Sequence, residues 1–243
     1  GDEAEVKSFR LPAEARGAKA GMPGRVILFG LGDRAKWHER KTPLIARRML
    51  RYAKNERIAD FTTPLFRLQT KSGTDVPDLL WNTRKAARTF AENALMAHFE
   101  FNQYKERPKN GWPEVKTIFV GADKKDAKEI EIGIREGVII GEELNKTRAL
   151  ANTPGSDMTP SLLAAAAVEA GKSAGFKVRV LDEKEITRLG MGGILGVSRG
   201  SDEKPKFIIL EYLKGPKDQK PLVLCGKGVT FDTGGINLKP EQY

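Results

Sequence analysis

Apolar and polar positions along the chain change their spacing from segment to segment, and the changes mark its elements. The run RVILFGLG over residues 25–32 is continuously apolar and closes on glycines, which predicts a buried strand ending in a turn. In DRAKWHERKTPLIARRMLRYAKNER (residues 33–57) the spacing becomes helical. Leu44, Ile45, Met49 and Tyr52 can face a core, while Arg47, Arg51 and Lys54 share another face. Residues 75–104 form a long helical pattern built from good helix formers. RPKNGWPEV (107–115) reads as a Pro/Gly loop and KTIFVGAD (116–123) as a second strand with its turn. Strands alternating with helices predict an α/β domain with a mixed sheet over residues 1–125.

Residues 124–152 carry two signals. The alternation Glu129-Ile130-Glu131-Ile132 suits a strand, whereas the length and the apolar positions 130, 134, 138 and 144 favour one long helix. The helix is the reading adopted, despite Gly133, Gly137 and Gly141, and its span of 126–150 is expected to link two modules. Beyond it, Thr159 is an N-cap with Pro160 in the first helical position, and Gly175 is a stop signal. KVRVL then reads as a strand, DEKEITRLG as a short helix and MGGILGVSRGS as a glycine-rich segment. KFIILEYL and PLVLCG read as two more strands, giving a second α/β domain over 151–243.

Charge sharpens this division. The net charge of +10 lies entirely in residues 1–125, which hold 25 Lys+Arg against 15 Asp+Glu; residues 126–243 hold 17 of each. Arg47, Arg48, Arg51 and Lys54 are candidate phosphate contacts if the basic module binds nucleic acid. The simpler account is the solvated side of an amphipathic helix, since no helix-turn-helix or stacking-aromatic pattern accompanies the charges. Cys225 is the only cysteine, which excludes a disulfide within the chain and points to a reducing compartment. With only His38 and His98 beside it, a Cys/His zinc site is not expected either. No stretch approaches the roughly 18 apolar residues of a membrane span. The first residues, GDEAEVKSFR, show no apolar signal core, so a cytoplasmic location without membrane partners is expected.

The densest chemistry is GKGVTFDTGGINLKP, residues 226–240. It lacks the spacing of a phosphate-binding loop, and it fails the dinucleotide fingerprint because residue 231 is Phe. No HExxH helix is present. The stretch resembles the signature of the leucyl aminopeptidase family, the cytosolic two-metal exopeptidases. TRALANTPGSDMTPSLLAAAA and KVRVLDEKEITRLGMGGILGVSRGSDEKPKFIILEY extend the resemblance upstream, so that it covers about residues 140–240. Residues 1–125 resemble the family's N-terminal domain only in pattern.

The resemblance implies hydrolysis of N-terminal residues from peptides with two divalent ions, zinc or manganese first, magnesium or cobalt as alternatives. It implies Lys227 and Asp232 as metal ligands, the lysine through a neutral amine that a neighbouring dication favours over the ammonium. It implies Lys239 as a retained charge facing the developing oxyanion. Gly228, Gly234 and Gly235 would let the backbone turn sharply beside the ions. Thr233, Asn237 and Ser156 depart from common family residues, and none has an implied metal role. Cys225, at the end of the preceding strand, is expected to be a buried packing residue. Two ions require more donors than one lysine and one aspartate. The resemblance implies that the remaining ligands, the catalytic arginine and most of the specificity pocket lie beyond Tyr243, so this chain is expected to be inactive alone. The longer protein is expected to be a homo-hexamer.

Overall fold

Residues 5–11, 24–33, 41–64 and 83–230 are described by the computed structural model, and the chain divides into two compact units, Gly1–Arg148 and Ala149–Tyr243. In the first unit, β1 (Val6–Arg10) pairs antiparallel with β2 (Arg25–Phe29), Val6 opposite Phe29 and Arg10 opposite Arg25. The face of β2 carrying residues 25 and 29 meets α1 (Lys41–Asn55). Phe29 stands edge-on to Tyr52 at 5.7 Å between centroids. Arg25 donates to the Tyr52 hydroxyl (3.1 Å) and to Glu56 (2.8 Å), fastening the hairpin to the helix.

β3 (Asp60–Pro64) and β4 (Thr117–Gly121) pair in parallel, with α2 (Thr83–His98) between them in sequence. Parallel and antiparallel pairs therefore coexist, as the α/β reading expects. β1 and β3 are absent from the sequence-based reading, because VKSFR and DFTTP are five-residue strands with too few apolar positions to show a period. α2 starts at Thr83 and stops at His98, shorter than the pattern over 75–104; residues 75–82 lie outside the described residues.

The core forms where α1 and α2 lie on these strands. Ile45, Ala46, Met49 and Phe90 pack with Phe29, Leu31, Phe61, Ile118 and Val120. Leu50, Ala53 and Val115 continue this core with Ile58 and Ala97. Leu44, expected inside, is 45% exposed. The buried stripe runs instead through residues 45, 46, 49, 50 and 53, one position further along the helix.

α3 (Ala127–Asn152) confirms a single helix where strand and helix signals conflicted. Its glycines explain themselves by position: Gly133, Gly137 and Gly141 are buried in one line against α2. A Cβ on Gly133 would stand 2.2 Å from the Arg84 carbonyl oxygen, and one on Gly137 would stand 2.3 Å from that of Arg88. At Gly141 the nearest atom would be Leu95 Cβ, 3.0 Å away. Because the partners advance together along both helices, α2 and α3 run parallel. Ala87 and Ala91 line the opposite side of the contact, so the two backbones approach more closely than larger side chains would permit.

In the second unit, α4 (Pro160–Ala174) begins with Thr159 Oγ1 accepting from Leu162 N–H and ends at Gly175 in the left-handed region, φ 72°. Gly171 packs against β5 (Lys177–Leu181), where a Cβ would meet Val178 Cγ2 at 2.5 Å. β5 pairs antiparallel with β6 (Phe207–Glu211). Between them come α5 (Glu183–Arg188), capped by Asp182, and α6 (Gly192–Ser198), a short helix where only a glycine-rich segment was read. PLVLCG is not a strand in the structure. Leu222, Val223 and Leu224 are 86%, 77% and 86% exposed, and the segment joins no ladder among the described residues. An apolar run signals a preference for burial, but a strand also needs a neighbour to pair with.

These contacts make an exception to the usual glycine rule. Alanine normally gains roughly 1 kcal/mol over glycine inside a helix. Gly137→Ala should instead lower stability by about 1–3 kcal/mol, because the Arg88 carbonyl must move. Gly196→Ala in α6, where an added Cβ meets nothing within 4 Å, should be neutral or stabilising. Urea unfolding midpoints of the two variants should move in opposite directions or differ clearly in size.

Candidate functional site

The loop holding Lys227 leaves the exposed apolar run at Cys225, and residues 221–229 are all exposed. Lys227 itself faces solvent between two glycines. A Cβ on Gly226 would meet nothing within 4 Å, and one on Gly228 would only touch Leu163 Cδ2 at 3.5 Å. Among the described residues the glycines with positive φ are Gly32, Gly111, Gly175 and Gly190. The sharp backbone turn expected of Gly228 is therefore not found. Neither glycine position is crowded by the described residues. Cys225, expected to be buried, is an exposed free thiol, because no described layer covers this segment.

Asp232 and Lys239, with Gly234 and Gly235, lie outside the described residues, so the structure places Lys227 but does not bring the three predicted site residues together. Among the described residues no group of three His, Cys, Asp or Glu side chains could hold a metal ion. By its chemistry the donor set fits one part of a metal centre: an exposed amine could supply one ligand, and carboxylates would have to complete it.

The basic residues of α1 divide into two kinds. Arg47 Nε donates to the buried Asn93 Oδ1 at 2.8 Å, and Asn93 in turn donates to the Thr89 carbonyl at 2.8 Å. Lys54 is only 6% exposed. Its ammonium donates to the His98 carbonyl at 3.1 Å and pairs with Glu100. Neither side chain can serve as the phosphate contact considered above without abandoning these bonds. Arg48 is half-buried and Arg51 exposed, so the proposed basic surface shrinks to those two residues.

The end of α2 explains why these cations turn inward. No glycine follows His98 to close the helix, so its last carbonyls need other donors. Arg148 supplies one to Met96 O (2.8 Å) and Lys54 one to His98 O (3.1 Å), while Asn145 Nδ2 gives Leu95 O (2.9 Å) a second donor beside the Phe99 N–H (3.1 Å). The Arg148 guanidinium also lies 4.4 Å from the centre of the Phe99 ring. Sequence reasoning missed Asn93, Glu100, Asn145 and Arg148. The missing C-cap glycine was the available signal.

The fold is shared with solved structures at low identity. A bottromycin maturation enzyme, BotP, determined with Mn, superposes with a TM-score of 0.66 over 86% of this chain and 39% of its own, at 22% identity. A tomato leucine aminopeptidase variant gives 0.62 over 86% of this chain and 38% of its own, at 21% identity. Sequence narrows the class. Residues 145–243 match the catalytic-domain model of the cytosol aminopeptidase family. A probable cytosol aminopeptidase of Methylobacillus flagellatus is 35% identical over 89% of this chain and 42% of its own length. One from Chlorobaculum parvum is 35% identical over 99% of this chain and 49% of its own length. The chain belongs to the cytosol, or leucyl, aminopeptidase family, and it spans under half the length of these relatives. No helix among the described residues is long and apolar enough to cross a membrane.

Hydrogen bonding from Lys54, helped by Asn102, holds the Glu100 carboxyl below its ordinary range against the opposing effect of burial. A carboxylate lowered in the folded state adds stability above its unfolded value of about 4.3. That stability is lost as pH falls through the folded value. Glu100→Gln should therefore flatten the acid-side decline in urea stability while lowering stability at pH 7. Lys54→Met should cost about 1–3 kcal/mol at neutral pH by leaving the α2 terminus unmet.

Proposed function

We propose that this chain carries part of a metal-dependent exopeptidase that removes N-terminal amino acids from peptides. The observation that carries the reading is Lys227, exposed between Gly226 and Gly228 within the segment matched to the aminopeptidase catalytic domain. The names of the relatives support the activity, and the Mn in BotP supports use of a divalent ion. Two ions, zinc or manganese with magnesium or cobalt as alternatives, would supply Lewis acidity and a nucleophile at neutral pH when bound.

Lys227 offers a single amine lone pair, and Asp232 offers a carboxylate with two oxygens, suited to sharing between two cations. Lys239 would keep its proton and supply positive charge to a carbonyl oxygen that becomes anionic. Two divalent ions want four to six donors each, so Lys227 and Asp232 would hold them only together with further carboxylates supplied by a longer protein. The 243-residue chain by itself binds metal weakly and does not hydrolyse peptides. The longer protein is a cytoplasmic homo-hexamer, which sedimentation at micromolar concentration tests directly: a monomer would refute it.

The roles separate by measurement in a full-length enzyme carrying these residues. Chelation should abolish release of aminoacyl anilide. Lys227→Ala and Asp232→Ala should lose metal as well as turnover. Lys239→Ala should keep its metal and lose about 10²–10³ in kcat. Full activity after exhaustive chelation would defeat the metal reading.

A further inference from the structure

We propose that Asn110 is a latent deamidation site that Arg57 restrains. Arg57 closes α1, and its backbone sits in the left-handed region at φ 52°. Its N–H reaches Lys54 O (2.9 Å) and the N–H of Ile58 reaches Ala53 O (2.8 Å), a helix-ending pair in which glycine is usual. Among the described residues no other non-glycine residue has a positive φ. A side chain kept in so unfavourable a backbone directs attention to what that side chain does. The guanidinium donates through Nη1 to the Asn110 carbonyl at 3.1 Å and through Nη2 to the Gly111 carbonyl at 3.4 Å.

These two residues form the only Asn-Gly step in the sequence. Glycine after asparagine leaves the main-chain nitrogen open to the asparagine side chain, because no Cβ shields it. In deamidation the Gly111 nitrogen gives up its proton to solvent base and attacks Asn110 Cγ. The Cγ–Nδ2 bond breaks, ammonia leaves with a proton, and a succinimide closes. Water then opens the ring at either carbonyl, giving aspartate or isoaspartate. Asn110 is exposed, so base and water reach it. Two restraints oppose the attack. The Gly111 N–H is held by Pro108 O at 2.9 Å, and Arg57 holds the carbonyls on either side of that nitrogen. These bonds must open before the nitrogen can turn toward Cγ. A cation on the Asn110 carbonyl also favours loss of the Gly111 proton, but Arg57 is exposed, so water and salt screen that effect and the restraint prevails. Isoaspartate adds a carbon to the main chain within the turn, so the conversion loosens the tie that delayed it.

The 243-residue chain, incubated at mildly alkaline pH, should form isoaspartate at Asn110 slowly. Peptide mapping by mass spectrometry and enzymatic methylation of isoaspartate read the rate. Arg57→Gln and Arg57→Gly should each raise it by about five- to fifty-fold, the equivalent of the lost hydrogen bonds. The glycine variant suits the left-handed backbone, so it removes the side chain without weakening the end of α1. Asn110→Gln should give no isoaspartate at this position. In urea, the wild type and both Arg57 variants should convert at one common rate. An unchanged rate in Arg57→Gly, with wild-type circular dichroism, would overturn the proposal. Slower conversion in that variant would overturn it too, by making the guanidinium a promoter of the attack. So would failure of the wild-type chain to convert even in urea.

Discussion

The first unit is organised by how closely α2 and α3 approach. Glycine inside a helix costs roughly 0.5–1 kcal/mol relative to alanine, and α3 accepts that cost three times on one face. The return is contact between the two helices at carbonyl range along three successive turns. α2 is shaped for it, with Ala87 and Ala91 toward α3 and Phe90 toward α1. A small residue on one side and an aromatic on the other place α2 as the middle helix, and the strands β3 and β4 that flank it in sequence pair beneath the same core.

The same arrangement decides what the positive charge does. A helix wedged between two others ends among protein atoms, so its final carbonyls cannot all rely on water. Lys54 from α1 and Arg148 from α3 reach them, and a cation suits the negative end of the helix dipole. Arg47 is drawn in one turn earlier by Asn93. A net charge of +10 therefore overstates the basic surface available to a polyanion. Two of the four residues that suggested such a surface act inside the unit.

Legibility followed the physics of each signal. α4 was readable to the residue, because Thr159, Pro160 and Gly175 are local devices that act on their own backbone. α1 was readable as a helix, but its buried face was displaced by one position, since Leu44 and Ile45 are equally apolar and only packing distinguishes them. β1 and β3 were invisible, because partner strands rather than their own composition make them strands. PLVLCG was misread for the converse reason. The α3 glycines looked like evidence against a helix until α2 supplied their purpose, which no single-segment pattern contains.

The site loop combines both cases. The order of Lys227, Asp232 and Lys239 is a chemical pattern, legible without coordinates because it lists donor and charge types in a fixed spacing. What holds the first of them in place is not in that pattern. Gly228 was read as a residue that bends the chain, yet its backbone needs no positive φ. A Cβ there would meet only Leu163, more than sixty residues earlier, at ordinary contact distance, so the backbone course does not demand glycine. An amine ligand on a flexible four-carbon stem loses conformational freedom when it binds a metal, and a fixed backbone beneath it reduces what remains to be lost.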